Sequence, residues 1–429
     1  MAWADFMFAP GTFTVSSGTG SQQITNAACA QPKVILFFWT RATADATFTA
    51  DNSAGFGVAV DAGTDQTMNI AYWDDDNVAT TDSSFNKNIT HMITNPANGT
   101  AGNNHTITMS SFNSDGFTIN RTVNDGTNLN IIHYVCLGGS DITNAFLGEF
   151  LGPASTDTGK AYTGVGFQGD LGIFFGTFAG TAGTTTGTDF TFNLGFCKSA
   201  SERAALAVYS NDGSGSANQA ESYITDSKCL VLASGASLIV DNTLDLVSWD
   251  SDGFTMNHQV AVSGSRRFFG LILKGTFQSD ISVQARATSA TTQDITTVGF
   301  QPAGVVLGGT FATASATETV QSHLVLGAGE ATGSVANDGI WASNNAAINT
   351  DANMYSSASN IYTQATNPST VAAQAALNAW LSNGYQLNWG TADANARLFM
   401  HLALAGAAST RRPATPMFLS RLLPQEVLQ

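Results

Sequence analysis

Charge is what this sequence has least of. Asp, Glu, Lys and Arg make up 11% of its 429 residues, against roughly a quarter in an ordinary soluble domain. Long solvated helices need those residues on their wet face, so the shortage argues against a helical fold. Basic side chains are scarcest: 16 Lys and Arg stand against 32 Asp and Glu, a formal charge of −16. A surface of that sign repels phosphate backbones and anionic lipid, so no nucleic acid is expected as a ligand. Nowhere do 18 apolar residues run together, and no membrane insertion is expected. The opening residues 1–10 lack a basic segment followed by an apolar stretch, so no targeting signal is expected. Cysteine is limited to Cys29, Cys136, Cys197 and Cys229, with no close pair of the kind that binds zinc. Without an export signal, the four are read as buried free thiols rather than disulfides.

Chemical motifs are equally sparse. Gly164-Val-Gly-Phe-Gln-Gly169 matches the dinucleotide fingerprint, but a strand pattern follows it where pyrophosphate binding needs a helix N-terminus. The histidines His91, His105, His133, His258, His323 and His401 show no helical metal-ligand spacing and are read as packing residues. No Gly-x-Ser-x-Gly elbow occurs, so serine-hydrolase chemistry has no sequence support, and no enzyme is predicted.

What fills the chain instead is 42 Gly, with abundant Thr, Ser, Asn and Ala, and a core supply of 27 Phe and 7 Trp. So many aromatics exclude intrinsic disorder. Small polar residues between short apolar runs predict an all-β protein with many turns. An internal repeat organises it. One signature reads Gln31-Pro-Lys-Val-Ile-Leu-Phe-Phe-Trp-Thr40, then Gln168-Gly-Asp-Leu-Gly-Ile-Phe-Phe-Gly-Thr177, then Gln301-Pro-Ala-Gly-Val-Val-Leu-Gly-Gly-Thr310. A second reads Asp115-Gly-Phe-Thr-Ile-Asn120, Asp252-Gly-Phe-Thr-Met-Asn257 and Asn383-Gly-Tyr-Gln-Leu-Asn388. A third reads His133-Tyr-Val-Cys-Leu-Gly-Gly139, Phe269-Gly-Leu-Ile-Leu-Lys-Gly275 and Met400-His-Leu-Ala-Leu-Ala-Gly406. All three keep nearly one register, which chance does not do.

Each copy is of domain size and should own a core. The division is residues 22–150, 160–287 and 293–406, with an N-terminal strand or extension at 1–21 and polar linkers at 155–160 and 287–293. Within a copy, 34–39 and 171–175 read as strands buried on both faces, and the closing run at 271–273 should return beside the opening strand. Three tandem β-sandwiches of one type, jelly-roll or immunoglobulin-like, are predicted. Copy three carries one exception. Asn367-Pro-Ser precedes the alanine-rich segment 370–381, and Gly384 follows. Cap, proline and glycine predict a short helix there.

Two candidate sites remain. Asp74, Asp75 and Asp76 beside Tyr72 and Trp73 could gather oxygens for Ca²⁺ or contact a sugar, with a solvated acidic loop as the plainer alternative. The tail, 407–429, carries Arg411, Arg412, Phe418, Leu419, Leu422 and Leu423. Its apolar residues suit a docking arm better than a solvated end.

The motif Gly-Phe-Gln-x-x-x-x-x-Phe-Phe-Gly-Thr at 166–177, with Asp252–Asn257 and Phe269–Gly275, resembles a repeated domain of tailed-bacteriophage virion proteins. Copy one lacks the Gly-Phe before Gln31, and copy three ends Gly-Gly-Thr. The resemblance implies a non-enzymatic virion structural protein on the particle exterior (a head decoration, collar or tail component) assembled in host cytoplasm with other virion proteins. The alternative is a tail-associated receptor-binding protein that recognises host glycan. A homo-oligomer or a pseudo-threefold packing of the three copies is the expected assembly.

Overall fold

The computed structural model describes residues 5–61, 66–96, 103–124, 126, 129–214, 219–235, 238–260, 264–332, 334–344, 351–366 and 370–407. The described residues are all-β and contain no α-helix. They form three seven-stranded and three four-stranded sheets. In spatial order, the first large sheet is β1 (Met7–Thr14), β11 (Ile131–Gly138), β3 (Val34–Trp39), β5 (Asn52–Val60), β6 (Gln66–Asp74), β7 (Ser83–Asn88) and β15 (Thr185–Thr188). Its small partner is β2 (Gly20–Thr25), β10 (Gly116–Asn124), β9 (Asn103–Asn113) and β8 (Ile93–Pro96). The second large sheet is β12 (Ile142–Leu151), β22 (Arg267–Gly275), β14 (Leu171–Gly176), β16 (Phe190–Cys197), β17 (Arg203–Ser210), β18 (Ala220–Thr225) and β26 (Thr319–Val320). Beside it lie β13 (Asp157–Thr163), β21 (Gly253–Val260), β20 (Leu238–Asp250) and β19 (Leu230–Gly235). The third is β23 (Gln278–Ala285), β33 (Leu398–Ala405), β25 (Gly304–Gly309), β27 (Ser322–Thr332), β28 (Ser334–Asn344), β29 (Ala352–Ser357) and β4 (Thr49–Ala50). Its partner is β24 (Thr292–Ile295), β32 (Gly384–Thr391), β31 (Thr370–Leu381) and β30 (Tyr362–Thr366).

The last strand of each large sheet comes from elsewhere in the chain. β15 pairs with β7, Thr185 opposite Lys87; β26 pairs with β18, Thr319 opposite Ser222; and β4 pairs with β29, Thr49 opposite Met354. The donations run in a closed cycle: second set to first, third to second, first to third.

Burial follows the pleat. Along β3, Val34, Leu36 and Phe38 enter a core shared by all three sets, where they join Leu171, Ile173 and Phe175 of β14 and Val306 of β25. The alternate residues Ile35, Phe37 and Trp39 instead pack toward the small sheet of their own set. Phe174 and Leu307 do the same in theirs. The central strands β3, β14 and β25 are therefore buried on both faces, and these runs carry no polar residue at all. The closing strand does return beside the opening one, with Leu271 opposite Ile173.

Close contacts recur at matching places. A Cβ on Gly57, Gly195 or Gly327 would sit within 2 Å of the carbonyl oxygen of Met92, Cys229 or Ile361 respectively. Asp51, Asp189 and Gln321, each the last residue before β5, β16 or β27, all adopt positive φ.

Two expectations are corrected here. The segment read as a helix is strand β31, hydrogen-bonded to β30 and β32 on its two sides; its proposed cap at 367–369 lies outside the described residues. Alanine favours helix by only a few tenths of a kcal/mol over most residues. That preference yields to two strand partners and to a core crowded by Trp341, Tyr362, Tyr385 and Trp389, against which small Ala373 and Ala375 pack. The cysteines are disulfide-bonded, Cys29 to Cys136 and Cys197 to Cys229, with Cα atoms 5.6 and 5.0 Å apart. All four are fully buried in sandwich cores. Pairs separated by 107 and 32 residues carry no sequence spacing that announces them.

Residues 155–160 and 287–293 run into β13 and β24, and 7–14 form β1, hydrogen-bonded to β11. The chain passes from one large sheet to the next through 139–141 and 276–277. Those passages meet the chain's first described residues at Asp141. Its amide donates to the Asp5 carbonyl (2.7 Å), its carbonyl accepts from the Thr276 amide (2.9 Å), and its carboxylate accepts from the Ala407 amide (2.8 Å).

Candidate functional site

The register of the large sheets puts the Asp141 junction at one end and Asp74 at the other, since Met7 faces Gly138 while Asp74 faces Asn52 and Ser83. Asp74 ends β6 and is fully buried; Asp75 and Asp76, in the turn that follows, are partly exposed. The Asp76 amide donates to Asp51 Oδ1 (3.1 Å), and Asp76 Oδ1 accepts from the amide of Ala352 in the third set (2.8 Å). The second set closes the same end. Asp212 Oδ1 accepts from the Ser83 amide (3.0 Å), the Asp212 amide donates to Asp189 Oδ1 (2.7 Å), and the Gly213 amide donates to the Thr81 carbonyl (2.7 Å).

Five loops drawn from all three sets thus bring Asp51, Asp75, Asp76, Asp82, Asp189, Asp212 and Asp351 to one end. The electrostatic consequence is mutual. Burial, with Asp75 adding to it, pushes the Asp51 carboxyl up to about 6. Burial and the charges of Asp212 and Asp75 raise Asp82. Burial and Asp212 raise Asp189, and burial and Asp76 raise Asp351. Arg41 tempers the excess at Asp51 and stacks 4.1 Å over the Trp73 ring.

Of the candidate ligands for Ca²⁺, Asp76 uses a carboxylate oxygen to cap a neighbouring set's backbone. Among the described residues, no group of three or more His, Cys, Asp or Glu is arranged to hold a metal ion. The docking residues Arg411, Arg412, Phe418, Leu419, Leu422 and Leu423 lie outside the described residues.

Sequence reading missed a second cluster, because its members are 205 and 223 residues apart. His133 Nδ1 lies 3.3 Å from Asp338 Oδ1, and its Nε2 lies 2.7 Å from Ser356 Oγ. This is the order of contacts in an acyl-transfer triad, but such a triad needs its nucleophile where a substrate can reach it. His133 and Ser356 have no exposed surface, Asp338 has 4%, and Phe38 stacks on the imidazole. The trio joins the first set to the third as a buried clasp. The first and second sets have a charged counterpart: buried Lys87 is paired with Glu149, which also takes Arg267 Nη1 at 3.3 Å.

No protein-family model matches the chain, and no curated protein matches it.

Proposed function

We propose that the chain is a non-enzymatic structural component of a phage particle's exterior, built as the single-chain counterpart of a trimer. Three sandwich domains of one type, β1–β11, β12–β22 and β23–β33, close into a ring about a pseudo-threefold axis. The observation that carries this reading is the closed cycle of strand donation through β15, β26 and β4. Heterologous contacts that close on themselves generate rings, and beads joined by linkers would have no reason to complete one another's sheets. The core common to all three sets supports the same arrangement. So do the recurring glycine contacts and the positive φ before each matching strand.

Assembly as the role follows from what such a body offers. A rigid threefold-like unit fits a threefold site on a capsid or tail, where each matching surface meets a like partner. Disulfides inside two of the sandwiches suit a protein that meets oxidising surroundings after lysis. The repeat signatures that resemble phage virion domains supply the particle.

Immunogold electron microscopy of the parent particles, with antibody against this chain, tests the reading. Regular label over head or tail shaft is the expected result. Label confined to the tail tip would favour the receptor-binding alternative, and unlabelled particles would sink the virion reading.

A further inference from the structure

Each donated strand is flanked by a carboxylate. Asp51 directly follows β4, Asp189 directly follows β15, and Glu318 directly precedes β26. Each seam, where a donated strand lies along its neighbour's sheet, also sets a carboxylate of one set against one of the next. The Ser83 amide donates to Asp212 Oδ1 (3.0 Å), which brings the adjacent Asp82 of the first set to Asp212 of the second. The Ala352 amide donates to Asp76 Oδ1 (2.8 Å), which brings Asp351 of the third set to Asp76 of the first. In the remaining seam Val320 faces Glu221 and Thr319 faces Ser222, so Glu318 comes next along the same edge and feels the Glu221 charge.

We propose that the three seams form a pH-controlled latch, in which β4, β15 and β26 hold closest in mild acid and release more often as the facing carboxylates ionise. Facing carboxylates repel only when both are charged, so a shared proton relieves the contact. In the closed seams, burial and then Asp75 push Asp51 up to about 6, and burial with a like charge raises Asp82, Asp189, Glu318 and Asp351. A released strand returns these groups to water and toward their ordinary values, near about 4. The closed state thus keeps protons that the open state has given up. Its advantage is fully present below about pH 4 and is lost as pH rises through about 6. The other charges along the seams are engaged. Arg41 opposes the rise at Asp51, and Lys87, opposite Thr185 of β15, is paired with Glu149. Asp45 accepts from the Ala358 amide (2.8 Å), Asp226 from Ser315 Oγ (2.8 Å), and His133 faces Asp338 (3.3 Å). Tyr209, near Asp189 and Glu221, and Tyr223, near Glu318, stay neutral because burial raises their hydroxyls.

Hydrogen exchange of the full chain, read by mass spectrometry at about pH 5 and about pH 7.5 with labelling times scaled to the intrinsic rates, tests this. Protection of peptides spanning β4, β15 and β26 should fall at least about threefold from the lower pH to the higher. At the higher pH it should also lie below that of the central strands β3, β14 and β25. The fall should vanish in the variant Asp51→Asn, Asp82→Asn, Asp189→Asn, Glu318→Gln, Asp351→Asn, which keeps each side chain's size and an acceptor oxygen. Should that variant fail to fold, Glu318→Gln alone keeps the test, because it should spare β26 while β4 and β15 still respond. Constant protection in the unaltered chain would overturn the proposal. So would a fall that survives neutralisation, as one carried by His133 would, or equal protection of donated and central strands. None of these outcomes bears on the particle assignment, which stands or falls with the immunogold label.

Discussion

Asp51 illustrates what single residues contribute at the acidic end. Its φ of +74° suits Asn and Asp better than other non-glycine residues. Its carboxyl titrates near 6 rather than 3.8, chiefly through burial and then through Asp75. Between about pH 4 and 6 the folded chain therefore keeps a proton that the unfolded chain has released. Stability from this group falls as pH rises through that window and stays lower above it. Asp51→Asn removes the penalty while its Oδ1 still accepts from the Asp76 amide. The variant is expected to be more stable at pH 7 by about 1–2 kcal/mol, with the gain fading below pH 4. Denaturant titrations at both pH values measure this, and an equal gain at both would show that ionisation is not the cause. Sequence reading could find Asp74–Asp76 because they are adjacent. Asp51, Asp189, Asp212 and Asp351 stand on four different loops and join that end only where the three sets meet, so no local pattern marks them.

At the scale of elements, the short donated strands matter out of proportion to their length. β15 lies along β7 with Gly187 opposite Phe85, and a Cβ at Gly187 would come within 2.6 Å of that ring. Phe85 belongs to the shared core, so it has little room to retreat. Gly187→Val should loosen the second set from the first and cost about 1–3 kcal/mol, as overpacking does. Thermal unfolding would register it, and an unchanged midpoint would show that the donated strand contributes little. Among the elements, the strand at 34–39 was legible because its six residues are all apolar, as suits a strand covered on both faces. β31 was not. Its alanines and flanking Asn-Pro satisfy local helix rules, while the strand partners that decide its state lie elsewhere in the chain.

Over the whole molecule, the shared core makes the three sets interdependent. A ring of this kind should scatter as a compact particle with a radius of gyration of about 22 Å. Small-angle scattering from an elongated monomer would rule it out. Residues 142–275 expressed alone would expose the apolar face of β14, β16 and β17 that the intact chain buries. That fragment is expected to yield no soluble monomer, because an uncovered face of that size drives association. Size-exclusion chromatography gives the answer, and a stable monomer would mean that each set is self-sufficient.

The sequence by itself determined the all-β class, the repeated signatures and the strands that must be buried on two faces. These rest on composition and on short periodic patterns, which act within a few residues of one another. Only the tertiary structure decided which cysteines pair, which strands complete a neighbouring set's sheet, and which carboxylates share an end. It also decided that a Ser, a His and an Asp should meet in a buried clasp. Each of these joins residues tens to hundreds of positions apart, and such contacts form only when the shared core draws the three sets together.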